Sequence, residues 1–292
     1  MMKMIYAIYQ EIKKMLTNYT FGMVVLATAI IHISGTIFTD AETDKSYNLV
    51  QLMMLGKAER QMKIEMYNIS FQSIFLQGSQ SYLWMFASIL ASAPFVVLLC
   101  TAKKNNNIRF EIYRTGKKNY VLAKEIAAMF VGGLVMLFGY IFFAVVLKCV
   151  LPSASAGNSI FAGDSLSGDT FTGDMLAGNI LTGIMVTKRL FEMFFYGMTS
   201  VLLTFIFSGM MRNKYLVLCV PFMANYLVKN MLEKPELVAN HTAQIVNPVS
   251  PTWLFLYEKD IQHKILLFWL VVAVMGFICY YLILNRRCDC GE

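Results

Sequence analysis

The chain has 292 residues, of which 57% are hydrophobic and 15% charged, against about 45–50% apolar and about 25% charged in soluble domains. With 22 Phe, 15 Tyr and 21 Met gathered in separate long runs, one globular core in water is excluded and a bilayer is the expected solvent. The net charge of +7 sits at the ends of apolar runs rather than along one face, so it reads as membrane topology and not as a nucleic-acid surface.

In chain order, residues 1–18 come first. Ile5, Ile8, Ile12 and Leu16 recur at helical spacing, with Glu11, Lys13 and Lys14 between them, which predicts an amphipathic helix lying on the inner membrane surface. The apolar run that follows is longer than the core of a signal peptide and is expected to stay in the protein.

A hydrocarbon layer of about 30 Å takes roughly 20 helical residues. Runs of that kind occur at about 19–38, 83–100, 126–147, 190–211, 215–228 and 265–285. The fifth is short and holds Pro221 and Asn225, so it is expected to kink or to cross only with help from neighbouring helices. If the N-terminus is inside and all six cross, Lys and Arg are about threefold denser on the inner side than on the outer, which favours both termini inside. A five-span arrangement would leave Arg286 and Arg287 outside, against that bias. The predicted fold is therefore an all-α, six-span membrane protein with extended outer segments.

The outer segment 39–82 has apolar positions at Leu49, Leu52, Met53 and Leu55 and again at Ile64, Met66, Ile69 and Phe71, predicting one or two amphipathic helices. Phe75, Trp84, Trp253, Tyr257 and Trp269 are expected near the outer interface as ring anchors. Mid-span charges are missing. Lys124, Glu125 and Glu192 fall within about a turn of a span end and are expected to reach the interface, and His32 reads as a packing residue.

Between the third and fourth spans, residues 156–183 hold five pentads of the form small, Gly, Asp or Asn, any, then Leu, Ile or Phe, with one slip after Ile160. One apolar and one small residue per unit suits either a coiled β-type cap or an open Gly-rich loop. Asp164, Asp169 and Asp174 read as solvent-facing turn carboxylates rather than a calcium site. The six cysteines include no CxxC pair, and His32, His241 and His263 have no ligand partners at metal spacing, so neither a disulfide framework nor a metal or cofactor site is expected. No phosphate-binding loop, zinc-protease motif or nucleophile elbow is present, and no span holds a pair of polar catalytic residues, so no catalytic residue and no enzyme activity are expected of this chain.

The inner segment 102–125 carries seven Lys or Arg residues. Asn105, Asn106 and Asn107 can cap a short helix, Ile108 and Ile112 share one face of it, and Gly116 can stop it, with Asn119 left to cap the third span. An ordinary basic loop accounts for the charge but not for these signals. Glu111, Gly116, Lys117, Lys118, Tyr120 and Lys124 stand in an order that resembles the loop before the third span in permease subunits of type-2 ATP-binding-cassette exporters. Glu11-Ile12-Lys13-Lys14 before the first span and Asn247-Pro248-Val249-Ser250-Pro251 before the last look similar to that family too.

The resemblance implies a permease domain over 19–292 that pairs with a second permease half and with separate ATPase subunits in a cell membrane of bacterial type. Arg109, Glu111, Arg114, Gly116, Lys117 and Lys118 would form the ATPase-coupling surface. The cargo, moved outward, would be amphiphilic or hydrophobic, since the spans are wholly apolar. A non-transporting scaffold or sensor whose outer repeat binds a ligand is the other reading.

Overall fold

A computed structural model describes residues 2–39, 45–67, 69, 71, 74–75, 80–105, 107–151, 174–211, 213–232 and 259–289. The described chain is mostly helical, in the order α1 (Met2–Leu16), α2 (Tyr19–Ser34), β1 (Thr36–Thr39), β2 (Ser46–Asn48), α3 (Leu49–Met54), α4 (Lys57–Met66), α5 (Gln80–Lys104), α6 (Asn107–Thr115), α7 (Lys117–Val150), α8 (Asp174–Met210), α9 (Lys214–Leu232) and α10 (Lys259–Asp289).

Among the described residues, four segments are long and apolar enough to cross a bilayer: Phe86–Lys104, Lys117–Val150, Val186–Met210 and Leu267–Arg286. A fifth candidate joins Met4–Leu16 to Tyr19–Ser34, two helices that meet at a bend of 64°. The apolar stretch Lys214–Ala224 of α9 is shorter. These helices define a multi-pass α-helical membrane protein.

The apolar run expected to span 19–38 ends its helix at Ser34. Gly35 interrupts it, and β-branched Thr36, Ile37 and Thr39 enter a short antiparallel ribbon with Ser46–Asn48 instead. Helix α8 begins at Asp174, so the last pentads of the repeat are helical rather than a β-type coil. The pentads before it, the 247–251 stretch, Trp253, Tyr257 and Cys290 lie outside the described residues.

The chain forms two compact units: Met1–Thr28 with Leu83–Gly139 and Glu192–Glu292, and Ala29–Tyr82 with Tyr140–Phe191. In the first, α7 and α8 touch at backbone distance. A Cβ at Gly197 would overlap the Gly132 carbonyl, and one at Gly132 would overlap Val201 and lie 3.1 Å from the Ala91 carbonyl oxygen on α5. In a bilayer there is no hydrophobic drive between helices, so close backbone packing of small residues is what holds them together. Phe205 stacks on Tyr280 with ring centroids 4.7 Å apart and meets Phe95 at 5.7 Å, which ties α8 to α10 and α5.

In the second unit, His32 is buried between Phe143 (5.3 Å, stacked) and Tyr140 (5.1 Å, edge-on). Phe75 packs on Tyr140 at 5.0 Å and its carbonyl accepts the Tyr140 hydroxyl. Phe75 is thus buried in a ring cluster, not placed as the interface anchor its position suggested.

Candidate functional site

In the first unit, one short helix is held in place by charge. α6 is only nine residues long, starts two residues after α5 ends, and stops at Gly116, whose φ of 84° is the left-handed value that glycine adopts without strain. The Gly116 N–H donates to the Ile112 carbonyl at 2.8 Å, closing α6, while the Gly116 carbonyl accepts from the Tyr120 N–H at 3.0 Å, opening α7. One residue therefore makes the whole turn. Asn119 does not cap α7; it sits in the first turn and its amide donates to the Thr115 carbonyl at 3.2 Å.

Four ionised side chains from three helices meet above this turn. Lys14 of α1 reaches Glu11 at 3.0 Å and Glu111 of α6 at 2.9 Å. Lys124 of α7 reaches the same two carboxylates, Glu11 at 3.0 Å and Glu111 at 3.4 Å. Each ammonium thus bridges both carboxylates. The Lys124 side chain is only 5% exposed and its ammonium also lies 5.0 Å from the Tyr120 ring centroid. A lysine so deeply desolvated is tolerated because two anions and an aromatic face replace its water.

Burial alone would raise the Glu111 pKa, but the Lys124 charge and the Lys14 hydrogen bond outweigh it and hold the carboxyl below its usual range. The stability this contributes is present above the unfolded carboxyl pKa of about 4.3 and is lost as pH falls through the lower folded value. The thermal midpoint is therefore expected to fall on acidification below about pH 4, with a shallower fall in Glu111→Gln. An identical acid limb in the two proteins would contradict the assignment.

The same end of the unit gathers four helix termini. The Lys103 ammonium, at the end of α5, donates to the Ser208 carbonyl and to the Met211 carbonyl at 3.1 Å, at the end of α8. Lys117, at the start of α7, donates to the Asn285 side chain near the end of α10 at 2.9 Å.

The opposite face of α6 is open. Ile112 is buried and Ile108 half-buried, whereas Arg109, Phe110, Tyr113 and Arg114 are exposed, with Lys118 just beyond the turn. Tyr113 is 96% and Phe110 76% exposed, flanked by two guanidinium groups. Aromatic rings and arginine are residue types enriched where proteins meet one another.

Of the residues the sequence singled out, Glu11, Lys14 and Glu111 are brought together, Gly116 makes the turn, Lys117 ties to α10, and Lys13, Arg109, Arg114 and Lys118 face outward. Lys124, the centre of the cluster, was expected to reach the interface and is buried instead; Glu125 and Glu192 are buried too. Phe110 and Tyr113 had no signal in the sequence beyond their positions opposite Ile108 and Ile112. Searched against models of known protein families and against curated proteins, the chain matches none.

Proposed function

We propose that this chain is the permease subunit of an ATP-driven exporter, with α6 as the helix that docks on a separate ATPase subunit. The observation that carries the reading is the clamp on Glu111. It pins a short helix between two apolar spans and leaves Arg109, Phe110, Tyr113 and Arg114 facing out.

In this reading α2, α5, α7, α8, α9 and α10 cross the membrane, α1 rests on the inner surface, and both termini are inside. The tied helix ends support it. Lys103 holds the end of α8 beside the end of α5, and Lys117 holds the end of α10 beside the start of α7. With those ends on one side, a crossing α10 is matched by a crossing α9 in this reading. Its 19 residues reach about 28 Å at 1.5 Å each, slightly short of an average hydrocarbon layer of about 30 Å, which local thinning accommodates. That side is also the basic one, as the positive-inside rule requires.

The chain has no catalytic role here. It pairs with a second permease half in a cell membrane of bacterial type. ATP-driven movement of the docked subunit is received by α6, passed through the clamp to α1 and α7, and opens an outward route for an amphiphilic or hydrophobic cargo.

The test is purification of the complex from membranes in which the permease and its companion ATPase are co-expressed. Tyr113→Ala combined with Arg114→Glu is expected to lower co-purified ATPase activity by about tenfold or more while the thermal midpoint of the permease stays put. Wild-type permease that carries no ATPase, or a double variant that carries as much as wild type, would refute the proposal.

A further inference from the structure

The second unit holds a stretch that is tied back to the end of α2. α2 ends at Ser34, and the register of the ribbon pairs Thr36 with Asn48. Paired residues in an antiparallel ladder lie about 4.5–5.5 Å apart, so the chain leaves α2, makes its excursion through residues 37–47, and returns to the point of departure. Asn48 then starts α3 through a capping box: its side chain accepts from the Gln51 N–H at 2.9 Å, and the Gln51 side chain accepts from the Asn48 N–H at 3.0 Å. α3 is thereby fixed at the level where α2 ends.

α3 buries Leu49 and Leu52 completely and turns Val50, Met53 and Met54 outward. α4 is held against the ribbon by Lys63, which donates to the Tyr47 hydroxyl at 2.9 Å, with Arg60 and Ile64 half-buried beside it. Its other side presents Ala58, Met62 and Met66 at a spacing of four residues, all exposed. Met53, Met54, Met62 and Met66 are 50%, 80%, 65% and 60% exposed. Four exposed thioether side chains on two short helices that follow the end of α2 are more than a helix this polar needs for solubility in water. Lys57, Glu59, Arg60 and Glu65 on the same short helix forbid full immersion in hydrocarbon. Apolar and charged flanks on one helix are both accommodated at the headgroup boundary, where the chains reach acyl carbon and the charges reach water.

We propose that α3 and α4 form a lipid-bound element, with Met53, Met54, Met62 and Met66 resting in the headgroup layer of the leaflet at which α2 ends. This rests on the proposed reading that α2 crosses the membrane: the occupant is the bilayer, because the Thr36–Asn48 pairing starts α3 beside the end of α2. The flexible, polarisable thioether suits a surface made of many lipid conformations rather than one fixed partner.

Methionine oxidation reads this directly. The intact protein in phosphatidylcholine–phosphatidylglycerol nanodiscs is treated briefly with dilute hydrogen peroxide, and sulfoxide at each site is measured by peptide mass spectrometry. A synthetic peptide of residues 49–67 serves as the open reference, and Met23 of α2 and Met275 of α10, exposed on spans, serve as lipid-covered references. The four thioethers are expected to oxidise slower than in the peptide by on the order of tenfold, close to Met23 and Met275. Rates equal to those of the peptide would overturn the proposal. Protection that disappears when each disc holds a single copy would overturn it too, since a second chain would then be the cover. Met62→Glu with Met66→Glu is expected to restore peptide-like oxidation at Met53 and Met54, and unchanged protection there would argue against a shared lipid contact.

Discussion

A Lys124→Ala variant is expected to lose about 3 kcal/mol of stability, because it removes the buried one of the two cations that hold Glu11 and Glu111 and leaves only half-exposed Lys14 between them. Lys124 is the buried member of the cluster and the only one on α7; Lys14 also touches both anions but is half exposed, so its charge is more screened by water. The loss should appear as a lowered unfolding midpoint in detergent micelles and as faster hydrogen exchange in α6, which would be released from α7. A charge-free set, Lys124→Met with Glu11→Gln and Glu111→Gln, is expected to recover most of the midpoint, since removing all partners together also removes the desolvation cost. If the triple variant is as unstable as Lys124→Ala, packing by the lysine stem and not charge is the source of the effect.

Gly197→Val should be comparably damaging for a steric reason. The added Cβ would overlap the Gly132 carbonyl and lie 2.8 Å from Met136 Cγ, and the obstacle is the α7 backbone rather than a side chain that can turn away. α7 and α8 would have to separate, losing close packing along their length, at a cost of about 3 kcal/mol or more. Gly22→Ala in α2 is the control: nothing lies within 4 Å of its added Cβ, and alanine favours a helix over glycine by about 0.8–1 kcal/mol. The yield of folded, monodisperse protein should fall sharply for the first and stay level or rise for the second. Equal behaviour of the two would mean that the α7–α8 crossing is not held as described.

How much of this was readable in the residues differs from one feature to the next. Apolar runs announce helices because a bilayer allows little else, and α5, α7, α8 and α10 fall where the runs are. α6 was legible through Gly116 and the Ile108–Ile112 spacing, both local signals. The end of α2 was not: apolar residues continue to Phe38, and only Gly35 with the β-branched residues after it marks the change to a strand. The cluster was half legible. Glu11, Lys14, Glu111 and Lys124 all stand in the motifs that carry the resemblance, but nothing local shows that they meet: Lys124 is 113 residues from Glu11, and a lysine at the edge of a span looks the same whether it reaches water or an ion pair. Which glycines meet at the α7–α8 crossing was unreadable, since apolar runs carry many glycines and only the three-dimensional path pairs Gly132 with Gly197. Gly-rich pentads argued against a helix, yet α8 begins within them at Asp174, where the apolar run of the following span carries the helix back across the weak residues.

The square formed by Glu11, Lys14, Glu111 and Lys124 contains as many positive as negative charges and has its key ammonium almost sealed from solvent. Dissolved ions screen charges over about 8 Å of water at physiological strength, but hardly reach between sealed neighbours. Arg114, on the outward side of α6, is exposed to those ions. A change of ionic strength inside the cell would therefore act on the outward side of α6 and leave the buried Lys124 pairing beneath it in place.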